Sequence, residues 1–111
     1  MDEVQMGSAY IEAQESVLGA LLIDPEAVAG IVFRTVDAED FDEERRTVFE
    51  AMRQIWAAGS RLDAVVAMGR LGDAYAPLLR QYMAATPTCA NVAAHCQVVR
   101  EQAALRRLRD V

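Results

Sequence analysis

Apolar residues recur every three or four positions along almost the whole chain, which is the spacing of one face of an α-helix. In residues 9–23, Ile11, Val17, Leu18, Leu21 and Leu22 fall on one wide stripe. No stretch alternates apolar and polar residues as a half-buried strand does. The pattern therefore predicts an all-α protein. Residues 1–8, which precede the first stripe, are predicted to form a flexible tail.

Helix-start signals divide the rest of the chain into five further helices. Ser, Thr and Asp side chains cap the first free N–H groups of a helix, and Pro fits its first position. The expected N-caps are Asp24 (followed by Pro25), Asp40 (in a capping box with Glu43), Asp63, Asp73 and Thr88. Gly59 is the expected stop of the third helix.

The same spacing gives a predicted core. Beyond the first helix its members are Val28, Ile31, Val32, Phe41, Val48, Phe49, Met52, Ile55, Trp56, Tyr75, Leu78, Leu79, Tyr82 and Met83. Gly19 interrupts the first helix and indicates close packing against a neighbour. Short connections between the helices are typical of a compact bundle, so residues 9–111 are predicted to form one domain of about six helices.

The last helix, predicted from Cys89 to Asp110, carries two apolar stripes. Val92, Cys96, Val99 and Ala103 form the first stripe, and Ala94, Val98, Leu105 and Leu108 form the second on the opposite side, with Arg100 and Arg107 on a polar strip between them. A helix with two apolar stripes must be covered twice. Either its own bundle wraps it, or the second stripe is covered by another chain. The C-terminal position and the ending RRLRD favour a projecting helix.

Both cysteines and the single histidine lie within this segment. In a helix Cys89 and Cys96 would be about 10 Å apart along the axis, too far for a shared zinc ion or a disulfide. His95 has no orienting partner at helical spacing. We therefore interpret the thiols as small apolar residues and His95 as a partly exposed helix residue, and no metal site is expected.

Composition and charge limit the functions that remain. The net charge of −6 argues against non-specific binding to nucleic acid, although residues 61–111 are basic. No phosphate-binding loop, zinc-protease motif or nucleophile elbow is present. No apolar run is long enough for a membrane span, and two cysteines without an export signal favour the cytoplasm. The residues alone predict a non-catalytic interaction module.

Four segments together resemble the N-terminal domain of the bacterial replicative DNA helicase, the DnaB family. They are IEAQESVLGALLIDPEA (11–27), EDFDEERRTVFEAM (39–52), GSRLDAVV (59–66) and TPTCANVAAHCQVVREQAALRRL (86–108), in family order and near family spacing. Three positions depart from the pattern. The usual Ala-Glu-Gln is Ala13-Gln14-Glu15, the usual His-Arg is Arg45-Arg46, and a usual Tyr is His95.

The resemblance implies an all-α head whose long last helix begins a helical hairpin through which two subunits pair. In the hexameric helicase such domains form a collar of three dimers that docks the C-terminal domain of primase, and a helicase loader is a further candidate partner. ATP and Mg²⁺ would belong to a separate motor domain, so this chain is expected to hold no cofactor. It would be either a fragment or a stand-alone relative, such as a phage-type module.

We therefore expect Val98, Leu105 and Leu108 to form a dimer interface and Arg100, Arg106 and Arg107 to form its partner-contacting rim. Little direct DNA binding and no membrane contact are expected. Two alternatives stay open: the helicase-binding domain of a primase, which has a similar fold, and a DNA-binding helical domain, which the acidic charge disfavours.

Overall fold

The computed structural model describes residues 2–109, and it describes side chains from residue 7 onward. Within that range the chain forms six α-helices and two short 3₁₀ turns, without a strand. The helices are α1 (Asp2–Ile23), α2 (Pro25–Thr35), α3 (Glu43–Ala57), α4 (Ala64–Leu71), α5 (Ala76–Ala84) and α6 (Val92–Arg109). The 3₁₀ turns span Ala38–Asp40 and Asp73–Tyr75. The predicted all-α class and the number of helices are confirmed.

The central element is α1, which packs against both α5 and α6. Every residue from 13 to 22 is buried, so the helix is covered on all sides over this stretch. Ile11 precedes the stretch and is 40% exposed, so its predicted place in the core is wrong. The helix also begins seven residues before the predicted start at Ala9 and includes most of the predicted tail, residues 1–8. The flexibility of those residues stays a prediction.

Gly19 lies where α1 meets α5. A Cβ atom on this residue would overlap the Thr86 hydroxyl and the Tyr82 carbonyl oxygen, and it would lie 2.8 Å from the Tyr82 carbonyl carbon. The Thr86 hydroxyl donates to the Tyr82 carbonyl oxygen at 2.8 Å and also approaches the Ser16 carbonyl oxygen at 3.2 Å. The close packing predicted from Gly19 is confirmed, because only a residue without a side chain lets this segment approach α1.

The start of α3 differs from the predicted capping box. Asp42, not Asp40, is the N-cap, and its carboxylate accepts a hydrogen bond from the Arg45 N–H at 3.2 Å. Asp40 instead ends the first 3₁₀ turn, where its carboxylate accepts from the Asp37 N–H at 2.9 Å. Both aspartates precede acidic first-turn residues, so local sequence fits either one. At the other end, Gly59 adopts a left-handed conformation with φ of 79°, which confirms the predicted stop.

Of the three later helix starts, one lies where it was predicted and two are shifted. Asp63 caps α4 as predicted, with its carboxylate accepting from the Val66 N–H at 2.8 Å. Asp73, however, lies in the second 3₁₀ turn, and α5 begins three residues after it. Thr88 accepts from the Ala90 N–H at 3.1 Å, which makes a local turn instead of a helix cap. Consequently α6 begins at Val92 and not at Cys89, while its predicted end, Asp110, lies outside the described residues.

The core largely matches the predicted set. Phe41 stacks on Phe49 with ring centroids 4.5 Å apart, and the Phe33 ring packs on Phe49 with a centroid distance of 5.6 Å. Of the predicted members, Ile31, Trp56, Tyr75, Leu78 and Met83 are half-buried and lie at the edge of the core, and the rest beyond α1 are buried. Among residues 2–109, no helix combines the length and the apolar character that crossing a bilayer requires.

Candidate interaction surface on the last helix

One face of α6 holds the helix on the domain. Val92, Cys96, Val99 and Ala103 are all buried against the bundle, mainly against α1 and α2. Their spacing of three or four residues keeps them on one side over three turns. The first predicted stripe is therefore confirmed as the contact between α6 and its own domain.

The opposite face of α6 is only partly covered by the described residues. Leu105 is 43% exposed and Leu108 is 73% exposed, while Ala94 is also exposed. Val98 is half-buried because it lines a shallow groove of about 230 Å³ between α6 and α1, together with His95, Ala9 and Ala13. The second stripe thus runs from a half-buried residue beside α1 to exposed leucines at the end of the helix. That end does not project from the domain as predicted, because buried Ala103 and the contacts of Arg106 and Arg107 hold it against the bundle. Its role as a dimer interface stays a prediction.

The three arginines of the predicted rim have different surroundings. Arg100 is exposed. The guanidinium of Arg106 lies 5.1 Å from the centroid of the Tyr10 ring, and both terminal nitrogens of Arg107 lie 3.5 Å from the Asp40 carboxylate. Arg106 and Arg107 therefore contact their own domain, so a partner would meet them through their exposed surfaces only.

The corner that these arginines contact is tied together by hydrogen bonds. The Tyr10 hydroxyl donates to the Asp40 carbonyl oxygen within a buried environment. Burial, assisted by the charge of Asp42, raises the pKa of Tyr10, so its hydroxyl stays protonated and remains a donor. Since the Asp40 carboxylate also accepts from the Asp37 N–H, the end of α6 lies against a fixed support.

The thiols are spatially separate from this surface. Cys96 is fully buried in the core, and Cys89 lies in the turn before α6 instead of within the helix as predicted. Burial raises the pKa of Cys96 to about 11 and also raises that of Cys89, so both thiols are neutral at physiological pH. Within the described part of the chain, no three His, Cys, Asp or Glu residues cluster in a way that could hold a metal ion.

A buried polar cluster beneath α3 was missed by the sequence analysis. The Gln14 side chain accepts from the Asp42 N–H at 2.8 Å and donates to its carboxylate at 3.2 Å. Arg45 pairs with Glu15 at 2.6 Å and with Asp42 at 2.8 Å, and Gln81 donates to Glu15 at 2.9 Å. The sequence feature that could have predicted this cluster is the run Gln14-Glu15-Ser16 inside the apolar stretch of α1, because buried polar groups require hydrogen-bond partners.

Residues 8–101 match the family model of the DnaB-like helicase N terminal domain. The chain belongs to the DnaB-like helicase N-terminal domain family. The match includes all of α2 to α5 and the first half of α6. The resemblance drawn from the four sequence segments is confirmed.

Individual DnaB proteins agree with this result. The chain is 29% identical over 107 residues to the replicative DNA helicase DnaB of Mycobacterium leprae (strain TN), covering 88% of this chain and 17% of that protein. It is 30% identical over 108 residues to the replicative DNA helicase DnaB of Geobacillus stearothermophilus, covering 88% and 23%. The chain thus spans less than a quarter of the length of these curated relatives.

A solved structure shows the same fold. The crystal structure of the N-terminal domain of DnaB helicase from Mycobacterium tuberculosis matches with a TM-score of 0.81 at 30% identity, covering 90% of this chain and 76% of that chain. The all-α architecture is therefore that of a DnaB N-terminal domain.

Two departures from the DnaB pattern meet in space. Glu15 and Arg45, two of the positions at which the sequence analysis indicated departures from the DnaB pattern, form the 2.6 Å ion pair of the buried cluster. Gln14, the other half of the exchanged pair, bonds to Asp42 at the start of the same helix. Gln14, Glu15 and Arg45 therefore lie within one hydrogen-bonded cluster.

Proposed function

We propose that this domain is a non-catalytic collar domain of a replicative DNA helicase, which pairs subunits and docks the C-terminal domain of primase during DNA replication in the cytoplasm. The names of the relatives, all replicative DNA helicases, support the helicase assignment over the alternative of a primase domain. Unwinding, with its ATP and Mg²⁺, would then belong to a motor domain separate from this chain.

The observation that carries the proposal is the uncovered second stripe of α6. Leu105 and Leu108 lie one turn apart at the C-terminal end of the helix, and both are exposed. Large apolar side chains that follow one another on an exposed helix face favour contact with another surface. A second copy of the same helix offers the same pair of side chains, so two copies can cover each other around a twofold axis.

The available apolar surface sets the scale of the association. Complete burial of a Leu side chain contributes about 1.5–3 kcal/mol, and Leu105 and Leu108 each retain part of that gain because they are 43% and 73% exposed. Two leucines per subunit therefore contribute about 2–3 kcal/mol per subunit before the cost of association. Two subunits together gain about 4–6 kcal/mol, which only matches the lower end of the cost of association, about 4–15 kcal/mol, so the dimer is expected to be weak and concentration-dependent.

Charge is expected to control partner choice more than affinity. Arg100, Arg106 and Arg107 border the stripe, so an acidic partner surface would be attracted and a basic one repelled. The net charge of −6 makes extended contact with DNA unfavourable, since DNA binding depends on neutralising phosphates. Primase, and secondarily a helicase loader, are therefore proposed as protein partners of the domain, with little direct DNA binding.

The test is the molar mass in solution by light scattering across a concentration series. We expect the wild-type chain to shift from monomer toward dimer as its concentration rises, and Leu105→Asp to remain a monomer, because a charge at this position cannot be buried in an apolar contact. Ala104→Asp is the matched control, since Ala104 is exposed on a neighbouring face of the same helix turn.

Two outcomes would contradict the proposal. A wild-type chain that stays monomeric at every concentration while remaining helical by circular dichroism would show that the stripe is not an interface. A dimer that survives in Leu105→Asp, or that Ala104→Asp disrupts equally, would place the contact elsewhere on the domain.

A further inference from the structure

An apolar crevice of about 160 Å³ lies between α4 and α5, two helices that are not among the main contacts of α6. Ala64 and Met68 line it from α4, and Ala76, Leu79 and Met83 line it from α5. Met68 and Met83 are half-buried. Because methionine is flexible and polarisable, walls of this kind adapt to the shape of an inserted apolar side chain.

The start of α4 also exposes an apolar side chain. Val65, which follows Ala64, is 71% exposed, about as much as Leu108 on α6. The crevice itself, at about 160 Å³, has room for one large apolar side chain. This surface is separate from the second stripe of α6.

A cation without a partner lies at the edge of this crevice. Arg80 is exposed and makes no hydrogen bond or ion pair with any described residue, whereas Arg45, Arg46, Arg53, Arg70 and Arg107 all contact groups of the domain. Arg80 therefore gives the edge of the crevice a local preference for carboxylates.

We propose that the crevice between α4 and α5 docks an acidic amphipathic helix of a partner protein. An apolar side chain of that helix enters between Met68 and Met83, and a carboxylate on its flank pairs with Arg80. This is the helix-in-groove mode, in which apolar residues at helical spacing anchor the ligand. The site is separate from the second stripe of α6, which is proposed above to pair with a second copy of itself.

The test uses a synthetic helical peptide of about 15 residues, long enough to form a helix, with a ridge of Leu flanked by Glu. The chain is labelled at its methionine methyl groups and titrated with the peptide by NMR. We expect the Met68 and Met83 signals to shift together, while the signal of Met52, which is fully buried in the core, stays unchanged. A twin peptide with Lys in place of Glu is expected to bind more weakly.

Charge reversal at Arg80 distinguishes docking at this site from non-specific apolar binding of the peptide. Arg80→Glu is expected to lower the affinity for the Glu peptide about five- to tenfold and to raise that for the Lys peptide. Arg34→Glu is the matched control, because Arg34 is exposed on α2, which packs against α1 and α6. Leu105→Asp should bind the peptide as the wild type does, so this result does not depend on subunit pairing.

The proposal is overturned if neither Met68 nor Met83 shifts, or if the Glu and Lys peptides bind equally well. It is also overturned if Arg34→Glu weakens binding as much as Arg80→Glu, because the effect would then follow net charge and not the site.

Discussion

Replacing Gly19 by Ala is expected to destabilise the domain, although alanine is the better helix former. In an unhindered helix the exchange would stabilise by about 1 kcal/mol. Here the new methyl group would overlap the Tyr82 carbonyl group and the Thr86 hydroxyl. The carbonyl is main chain inside α5 and cannot turn aside, so α1 and the segment around Thr86 must separate.

The net effect follows from these two terms. Forcing an extra carbon into a packed core costs about 1–3 kcal/mol, and the main-chain obstacle places Gly19→Ala at or above the upper end. After subtracting the gain in helix propensity, we expect the free energy of unfolding to fall by about 2 kcal/mol. For a domain of this size that corresponds to a Tm lower by roughly 8–15 °C.

Urea unfolding followed by circular dichroism measures this difference. Gly69→Ala is the matched control, because Gly69 lies within α4 and an added Cβ meets no atom within 4 Å. It is expected to stabilise the domain by about 0.5–1 kcal/mol. The packing argument is refuted if Gly19→Ala is as stable as the wild type, or if the two alanine variants shift stability in the same direction.

Two further predictions concern buried polar groups. Glu15→Gln and Arg45→Met should each lower the free energy of unfolding by about 2–3 kcal/mol. The loss in the double variant should be smaller than the sum of the two single losses by at least about 1 kcal/mol. Additive losses in urea unfolding would exclude coupling across the 2.6 Å contact between Glu15 and Arg45. Burial raises the pKa of Cys96 from 9.0 to about 11 and that of Tyr82 from 10.0 to about 12. The folded state therefore keeps these protons at pH values where the unfolded state has lost them. The free energy of unfolding has its full value below pH 9 and falls as the pH rises from 9 to 12. The chain contains no lysine, so no lysine titrates in this range. Cys96→Ala should reduce the loss of the free energy of unfolding between pH 9 and 11. An unchanged pH dependence in that variant would contradict the raised pKa of Cys96.

The apolar pattern predicted the helices well because burial of one face dominates where each helix lies. The two-stripe interpretation of α6 is an example, since its first stripe is buried and its second is largely exposed, with Val98 half-buried. The failure at Ile11 has the opposite cause. Its spacing fits the stripe of α1, but the neighbouring elements do not extend over that position, and sequence spacing contains no information on where a covering helix ends.

The helix starts were harder to predict because several residues can cap equally well. Asp40 and Asp42 both fit the start of α3, and the choice depends on partners far away in the chain. The Asp42 N–H donates to Gln14, 28 residues earlier, while the Asp40 carbonyl accepts from Tyr10, 30 residues earlier. A motif of a few neighbouring residues contains no information on such long-range pairs.

The candidate surface was predicted only in part for the same reason. The exposed leucines of α6 follow from the helical pattern, but the contact of Arg106 with Tyr10 and that of Arg107 with Asp40 depend on the course of α1 and the first 3₁₀ turn. The crevice between α4 and α5 likewise arises from the way two separate helices meet, and neither helix indicates it alone.

The complete enclosure of residues 13–22 has a consequence for biosynthesis. This segment of α1 leaves the ribosome before α5 and α6, the helices that cover it, and the contacting residues Ser16 and Thr86 are 70 residues apart in the chain. Because the chain is synthesised at about 5–20 residues per second, the apolar segment stays uncovered for several seconds until α5 and α6 are made. Nascent chains halted before α6 should therefore be protease-sensitive and bind chaperones, and protection should appear in a single late step.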